Sequence, residues 1–188
     1  MTPQGQLTAS ALQALVKDGT LTGSWTLDPA RSEVRLESRH TWGLRPLHGV
    51  FRQVAGNGTV TEAGQVTGTI TVDAGSVDTK NKTRDKDLRS AKIFDIARHP
   101  DITFTVDGME PDGQGVRVTG SLTVRGRTRP LSFDAKVSVE EGAEGSKGEV
   151  RLDAEVPVNR ADFGLTYNPL RMASLDNTIA IRAVFTRQ

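Results

Sequence analysis

The chain has no cysteine in its 188 residues, which rules out disulfides, thiolate nucleophiles and cysteine-based zinc sites. Aromatic residues are scarce at 5%, with six phenylalanines, two tryptophans and one tyrosine. That is little for a solid β-sandwich core and enough for a barrel whose interior is filled partly by a ligand. Neither charge sign dominates, since 24 basic residues face 23 acidic ones for a formal net charge of +1. No overall field therefore points to nucleic acid. No apolar run approaches the ~20 residues a membrane-spanning helix needs. The first residues also lack the basic and apolar regions of a secretory signal. A soluble cytoplasmic protein without a membrane span is the expectation.

Histidine is limited to His40, His48 and His99, which stand in different segments without the close spacing of common zinc motifs, so no metal site is expected. There is no Gly-x-Ser-x-Gly elbow for a nucleophilic serine. The pair Gly56 and Gly58 precedes no helix and makes no phosphate loop. No catalytic residue and no cofactor follow from these patterns.

What the chain does have is alternation. Seven stretches, beginning near Val34, Val66, Ile102, Val116, Leu131, Val150 and Ile179, place apolar residues at every second position with Arg, Glu, Thr, Asp, Ser and Lys between them. Successive side chains of a strand point to opposite faces, so these segments share one dry face. The spacing predicts an all-β fold, an extended eight-stranded antiparallel barrel closed to remove its edges, with one or two short helices. Its lumen would be lined by Val34, Leu36, Ile70, Val72, Phe104, Val118, Leu122, Phe133, Ala135, Val137, Leu152, Ala154, Ile181 and Phe185. Small residues fall in the same registers, at Gly68, Gly120, Ala135, Ala154 and Ala183, and leave oily room inside.

Residues 1–23 read as an N-terminal extension and 24–188 as the barrel domain. In the extension Ser10 caps a short helix with Leu12, Leu15 and Val16 on one face, and Gly19 ends it. Too short to be stable alone, this helix is expected to pack against the outside of the barrel or against a second copy, as in a homodimer, without entering the lumen. Gly56-Asn57-Gly58 reads as a turn, residues 41–50 as a bend or bulged strand, and residues 83–91 as a helix crossing between the third and fourth strands. A long irregular loop occupies 160–176. The basic groups at Lys80–Lys92 and at Arg117, Arg125, Arg127 and Arg129, and the acidic group at Glu140, Glu141, Glu144 and Glu149, read as solvated faces. Arg84-Asp85 and Arg160-Ala161-Asp162 put guanidinium groups near carboxylates beside irregular segments. With His40, Phe163 and Tyr167 they are expected around the barrel mouth, either anchoring loops or meeting a polar ligand head. Trp25, Trp42, Phe94, Phe163 and Tyr167 are expected as plugs at the barrel ends.

Several of these segments, taken in order, resemble one family. Trp25-Thr26-Leu27-Asp28, Arg39-His40, Gly49-Val50-Phe51, Ser76-Val77-Asp78-Thr79, Arg84-Asp85 and Phe94-Asp95 are similar to the opening half of the YceI-like proteins. Pro100-Asp101-Ile102-Thr103-Phe104, Gly120-Ser121-Leu122-Thr123-Val124-Arg125-Gly126 and Asn159-Arg160-Ala161-Asp162-Phe163-Gly164 continue the resemblance to about residue 187. The resemblance implies a lipocalin-like barrel that holds a long isoprenoid or similar lipid, with no established catalysis. The function expected is binding, storage or transport of a polyprenyl chain or a quinone tail. The rival readings are an enzyme using His40, Arg84 or Asp85 on a substrate held in the barrel, and a stress-related interaction module.

Overall fold

Each of the seven alternating stretches is a strand in the computed structural model, which describes residues 7–40, 45–113, 115–140, 148–168, 171 and 173–188. The strands are β1 (Gly23–Leu27), β2 (Glu33–His40), β3 (Arg45–Phe51), β4 (Val54–Val60), β5 (Val66–Asp73), β6 (Val77–Asp78), β7 (Asp101–Asp112), β8 (Gly115–Val124), β9 (Arg127–Glu140), β10 (Glu149–Asn159) and β11 (Asp176–Arg187). They form one antiparallel sheet, closed on itself by β1 against β11.

Eleven strands make eight positions around the barrel because two positions are interrupted and a third carries a short extension. β11 pairs first with β2, as in Ile181 opposite Val34, and then with β1, as in Phe185 opposite Leu27. β3 follows β2 and β4 follows β1, so the second position is broken in the same place. β6 carries the β5 position onward by pairing with β3. Closure satisfies the backbone groups that an edge strand would leave bare.

Gly56-Asn57-Gly58 is not a turn. The three residues lie inside β4, opposite Ile70, Thr69 and Gly68 of β5, and the hairpin turn comes later, at residues 61–65, with Gly64 at φ +80°. Gly56 answers to crowding instead, since a Cβ on it would sit 3.0 Å from the Thr69 carbonyl oxygen and 3.3 Å from Leu27. Residues 45–51 are a regular strand paired along its length with β2.

Two helices complete the fold. α1 (Ala9–Lys17) is capped by the Thr8 hydroxyl, which accepts from the Ala11 N–H at 3.3 Å, so the cap is Thr8 and Ser10 lies within the first turn. Gly19 at φ +79° turns the chain away after it. α2 (Lys82–Arg89) is capped by Asn81 and crosses one end of the barrel between β6 and β7.

That end is packed shut. Phe51, Ala74, Val77, Phe94, Val124, Phe163 and Leu165 are all buried there, and the rings of Phe51 and Phe94 meet edge to face at 6.1 Å. Arg160 fastens the loop that follows β10. Its guanidinium donates to the carbonyl oxygens of Ser174, Leu165 and Tyr167 at 2.9, 2.7 and 3.1 Å. The acceptors are carbonyls, not the neighbouring carboxylate, because the chain from 160 to 175 curls around the guanidinium. Partial burial pushes its pKa down from the ordinary arginine value, against no carboxylate counter-charge. Losing one hydrogen bond to a charged group typically costs about 1.5 to 3 kcal/mol. Arg160→Ala is therefore expected to lower the melting temperature by several degrees while leaving ligand binding unchanged, as thermal melts and a binding titration on the same variant would show.

Candidate functional site

At the opposite end the barrel is covered by α1. The Leu7 N–H donates to Val137 O and the Ala9 N–H to Gly113 O, both at 3.0 Å, which ties the start of the helix to β9 and to the β7–β8 turn. On the far side the Trp25 indole N–H donates to Leu21 O at 3.0 Å and the Arg187 guanidinium donates to Thr20 O. The helix thus crosses the opening from β9 to β1. Its apolar stripe faces inward, so the expectation that it packs on the outer wall is corrected. Leu12 and Val16 line the apolar barrel mouth, and burial there removes more of their area from water than a solvated outer strand face would.

Beneath α1 lies a cavity of about 520 Å³. That is within the range of about 300 to 1,000 Å³ usual for small-molecule sites. Its wall includes Val34, Ile70, Val72, Phe104, Val118, Leu122, Phe133, Ala135, Val137, Leu152, Ala154, Ile181 and Phe185. Leu36 is absent from it. Two residues further along β2, it is half-buried against the core toward the closed end. The wall is apolar because every position around the barrel turns its dry register inward. Within the cavity the rings of Phe104 and Phe133 lie 5.4 Å apart.

The small residues divide into two kinds. Ala135, Ala154 and Ala183 face the cavity and leave space in it. Gly120 does not leave space for a ligand, because the Phe104 ring already occupies it. A Cβ there would come within 2.7 Å of Phe104 Cζ and clash with the Thr105 carbonyl oxygen. From sequence the two cases look alike, since the partner that fills a gap sits on another strand.

Sequence reasoning missed the polar rim. Gln13 and Lys17 of α1 and Glu62 of the β4–β5 hairpin border the cavity, and Lys17 and Glu62 are the ionisable groups of its wall among the described residues. Val16 presses on the same hairpin so closely that a Cβ on Gly64 would lie 2.6 Å from Val16 Cγ1. No periodicity announces that a helix and a hairpin tip will meet over a lumen.

The residues expected at the mouth stand at the other end. Arg84 donates to Thr79 Oγ1 at 2.8 Å and to Thr79 O at 2.9 Å, while buried Asp85 accepts from the Thr79 N–H and hydroxyl at 3.0 and 2.6 Å. Arg84 and Asp85 thus share Thr79 instead of pairing with each other, and hold α2 to the chain that leads into it. Phe163 is buried in the closed end, and Tyr167 is 43% exposed with Lys92 Nζ 5.2 Å from its ring centroid. None of Arg84, Asp85, Arg160, Phe163 and Tyr167 lines the cavity. His40 ends β2, its side chain lying outside the described residues together with Trp42, Glu141 and Glu144. Of the other expected plugs, Trp25 forms part of the cavity wall under α1, and Phe94 is buried at the closed end.

Residues 25–186 match the family model for the YceI-like domain. The chain belongs to the YceI-like family. A UPF0312 protein of Pectobacterium atrosepticum is 34% identical over 119 residues, covering 63% of this chain and 62% of that protein. The Protein YceI of Salmonella arizonae is 32% identical over 128 residues, 66% of each chain. The match spans less than two thirds of the length of these curated relatives. Among solved structures, Burkholderia cenocepacia BcnA superposes with a TM-score of 0.70 at 21% identity, over 84% of this chain and 98% of that one. A polyisoprenoid binding domain from Saccharophagus degradans gives a TM-score of 0.65 at 18% identity, over 87% and 98%. Both share the fold of this chain. The YceI-like match begins at residue 25, after α1, and among the described residues no helix is long and apolar enough to cross a membrane.

Proposed function

We propose that this YceI-like barrel binds the chain of a long apolar lipid, a polyisoprenoid or a quinone tail, and carries or sequesters it. The observation that carries this reading is the lumen, an apolar cavity with a packed floor at one end and an amphipathic helix over the other. Each methylene moved from water into such a wall contributes about 0.8 kcal/mol. Affinity then grows along the chain without any particular head group. The polyisoprenoid-binding neighbour of the same fold supports this reading. A binding role is further supported by the wall's ionisable groups among the described residues, Lys17 and Glu62, which come from α1 and the β4–β5 hairpin while the strands supply none.

Organic-solvent extraction of the purified protein, read by mass spectrometry, is expected to release a lipid with a long apolar chain. Titration of the extracted protein with polyprenols of increasing length is expected to show affinity rising with each isoprene unit until the lumen is filled. An extract free of lipid, together with affinity that does not depend on chain length, would overturn the proposal and favour an interaction module whose barrel is only a scaffold.

A further inference from the structure

The closed end of the barrel carries half of the chain's basic residues. Segments 80–98, 125–129 and 160–171 contain twelve lysines and arginines against four acidic residues, a local excess of eight in a chain whose formal net charge is +1. Side-chain contacts gather the three segments onto one surface. The Arg125 guanidinium donates to Ala91 O at 2.7 Å, the His99 ring crowds Gly126, the Arg127 guanidinium crowds Gly164, and the Lys92 ammonium sits by Tyr167.

Of these cations Lys80 is paired, with Asp78 at 3.1 Å, and most of the others meet no carboxylate. Arg84, Arg89 and Arg160 spend their hydrogen bonds on a threonine and on carbonyl oxygens, which are neutral. Asp85 is buried against Thr79, and Asp95 is buried with Arg98 3.7 Å away. Lys82, Lys86, Lys92 and Arg129 are exposed, and Arg98 is 78% exposed. The exposed acids of the three segments are Asp87 and Asp162.

The same end holds the two large apolar side chains that stand in water among the described residues, Tyr167 at 43% and Leu175 at 40% exposure. Both lie on the loop that Arg160 fastens, Tyr167 beside Lys92 and Leu175 next to the exposed Asp176. A single exposed apolar residue is ordinary. Two of them within a basic face match what a headgroup layer takes, since cations there meet anionic lipids while a tyrosine ring and a leucine enter the interface. A nucleic-acid backbone would use the cations and leave Leu175 in water.

We propose that the closed end of the barrel is a docking face for an anionic lipid membrane, so that the molecule stands on the bilayer with α1 turned away from it. The docking goes beyond the lumen reading and is independent of it, because it depends on surface charge and an emptied barrel docks as well as a loaded one.

Sedimentation with vesicles of phosphatidylcholine, with and without phosphatidylserine, tests the proposal on the full chain. Binding is expected only to the mixed vesicles, and to be lost as salt shortens the Debye length from about 10 Å to about 3 Å. The triple variant Lys82→Glu, Lys86→Glu, Lys92→Glu is expected to bind at least tenfold more weakly with its melting temperature retained, since all three residues are exposed and the one ring that Lys92 meets, Tyr167, is itself exposed. The double variant Tyr167→Ser, Leu175→Ser is expected to weaken binding and keep the salt dependence. The absence of cysteine allows the face to be mapped without background. A polarity-sensitive dye on Lys86→Cys is expected to shift to the blue on the mixed vesicles, and the same dye on Lys17→Cys in α1 is not. Equal binding to both vesicle types, binding to neither, a shift at Lys17→Cys in place of Lys86→Cys, or tighter binding to duplex DNA than to the mixed vesicles would each overturn it.

Discussion

Ala135→Trp and Ala154→Trp are each expected to exclude a fluorescent polyprenyl analogue from the folded protein. Both side chains face the cavity, on neighbouring strands at paired positions, so an indole on either projects into the middle of the lumen. A ring of that size displaces several methylenes of a bound chain. At about 0.8 kcal/mol each, the loss of four is worth about 3 kcal/mol, which is more than a hundredfold in affinity. The indole enters the cavity and not the packed side chains of a solid core, so the overpacking cost is expected at or below the usual range of about 1 to 3 kcal/mol. Thermal melting should stay cooperative within a few degrees of the parent. If both variants melt normally and bind the analogue as before, the lipid does not occupy the lumen.

Deleting residues 1–22 is expected to unroof the cavity. The truncation removes Leu12, Val16 and Leu21 from its wall, together with the carbonyl that the Trp25 indole uses. Full burial of one such side chain is worth about 1.5 to 3 kcal/mol, an upper figure for partly structured unfolded chains, so denaturant midpoints should fall clearly. Trp25, buried at 5% in the intact protein, should emit at longer wavelength in the truncated one. Replacing Trp42 by Phe in both proteins isolates that signal. The decisive reading is kinetic, with dissociation of the polyprenyl analogue expected to accelerate at least tenfold. A truncated protein that releases ligand at the parental rate would show that α1 is no barrier.

The barrel was legible because its information is local. A dry register in β5 or β10 is written in the sequence itself as Val66, Gly68, Ile70, Val72 or as Val150, Leu152, Ala154, Val156, and needs no partner to be seen. β4 was hidden because Gly56 serves close approach to Leu27 and Thr69, while Gly56-Asn57-Gly58 offers the same letters as a hairpin turn. The site was legible to the extent that it is made of strands. Thirteen inward residues could be named from alternation alone, but whether a gap such as Gly120 stays empty depends on the Phe104 ring of a neighbouring strand. The two ends could not be told apart. Arg84, Asp85 and Arg160 look like rim residues in a linear chain, and it is the packing of Phe51, Phe94 and Phe163 beside them that makes theirs the closed end. The position of α1 was equally beyond reach, since its stripe says only that it must be covered.

The pairing of β1 with β11 has a consequence for how the molecule comes into being. Leu27 meets Phe185 and Trp25 meets Arg187, so the last contact that completes the barrel joins residues separated by nearly the whole sequence. Closing a loop of that length costs roughly 4 to 5 kcal/mol of chain entropy before the seam returns any of it. Such non-local pairing makes for slow folding. During synthesis the strands before β11 can pair only as two sections, β1–β4–β5–β7–β8–β9–β10 and β2–β3–β6, and the lumen has no wall on that side until β11 has left the ribosome. Over that interval the face destined to hold a ligand is apolar sheet with free edges. The growing chain is then most exposed to mispairing, and a lipid present at that moment meets a trough and not a tube.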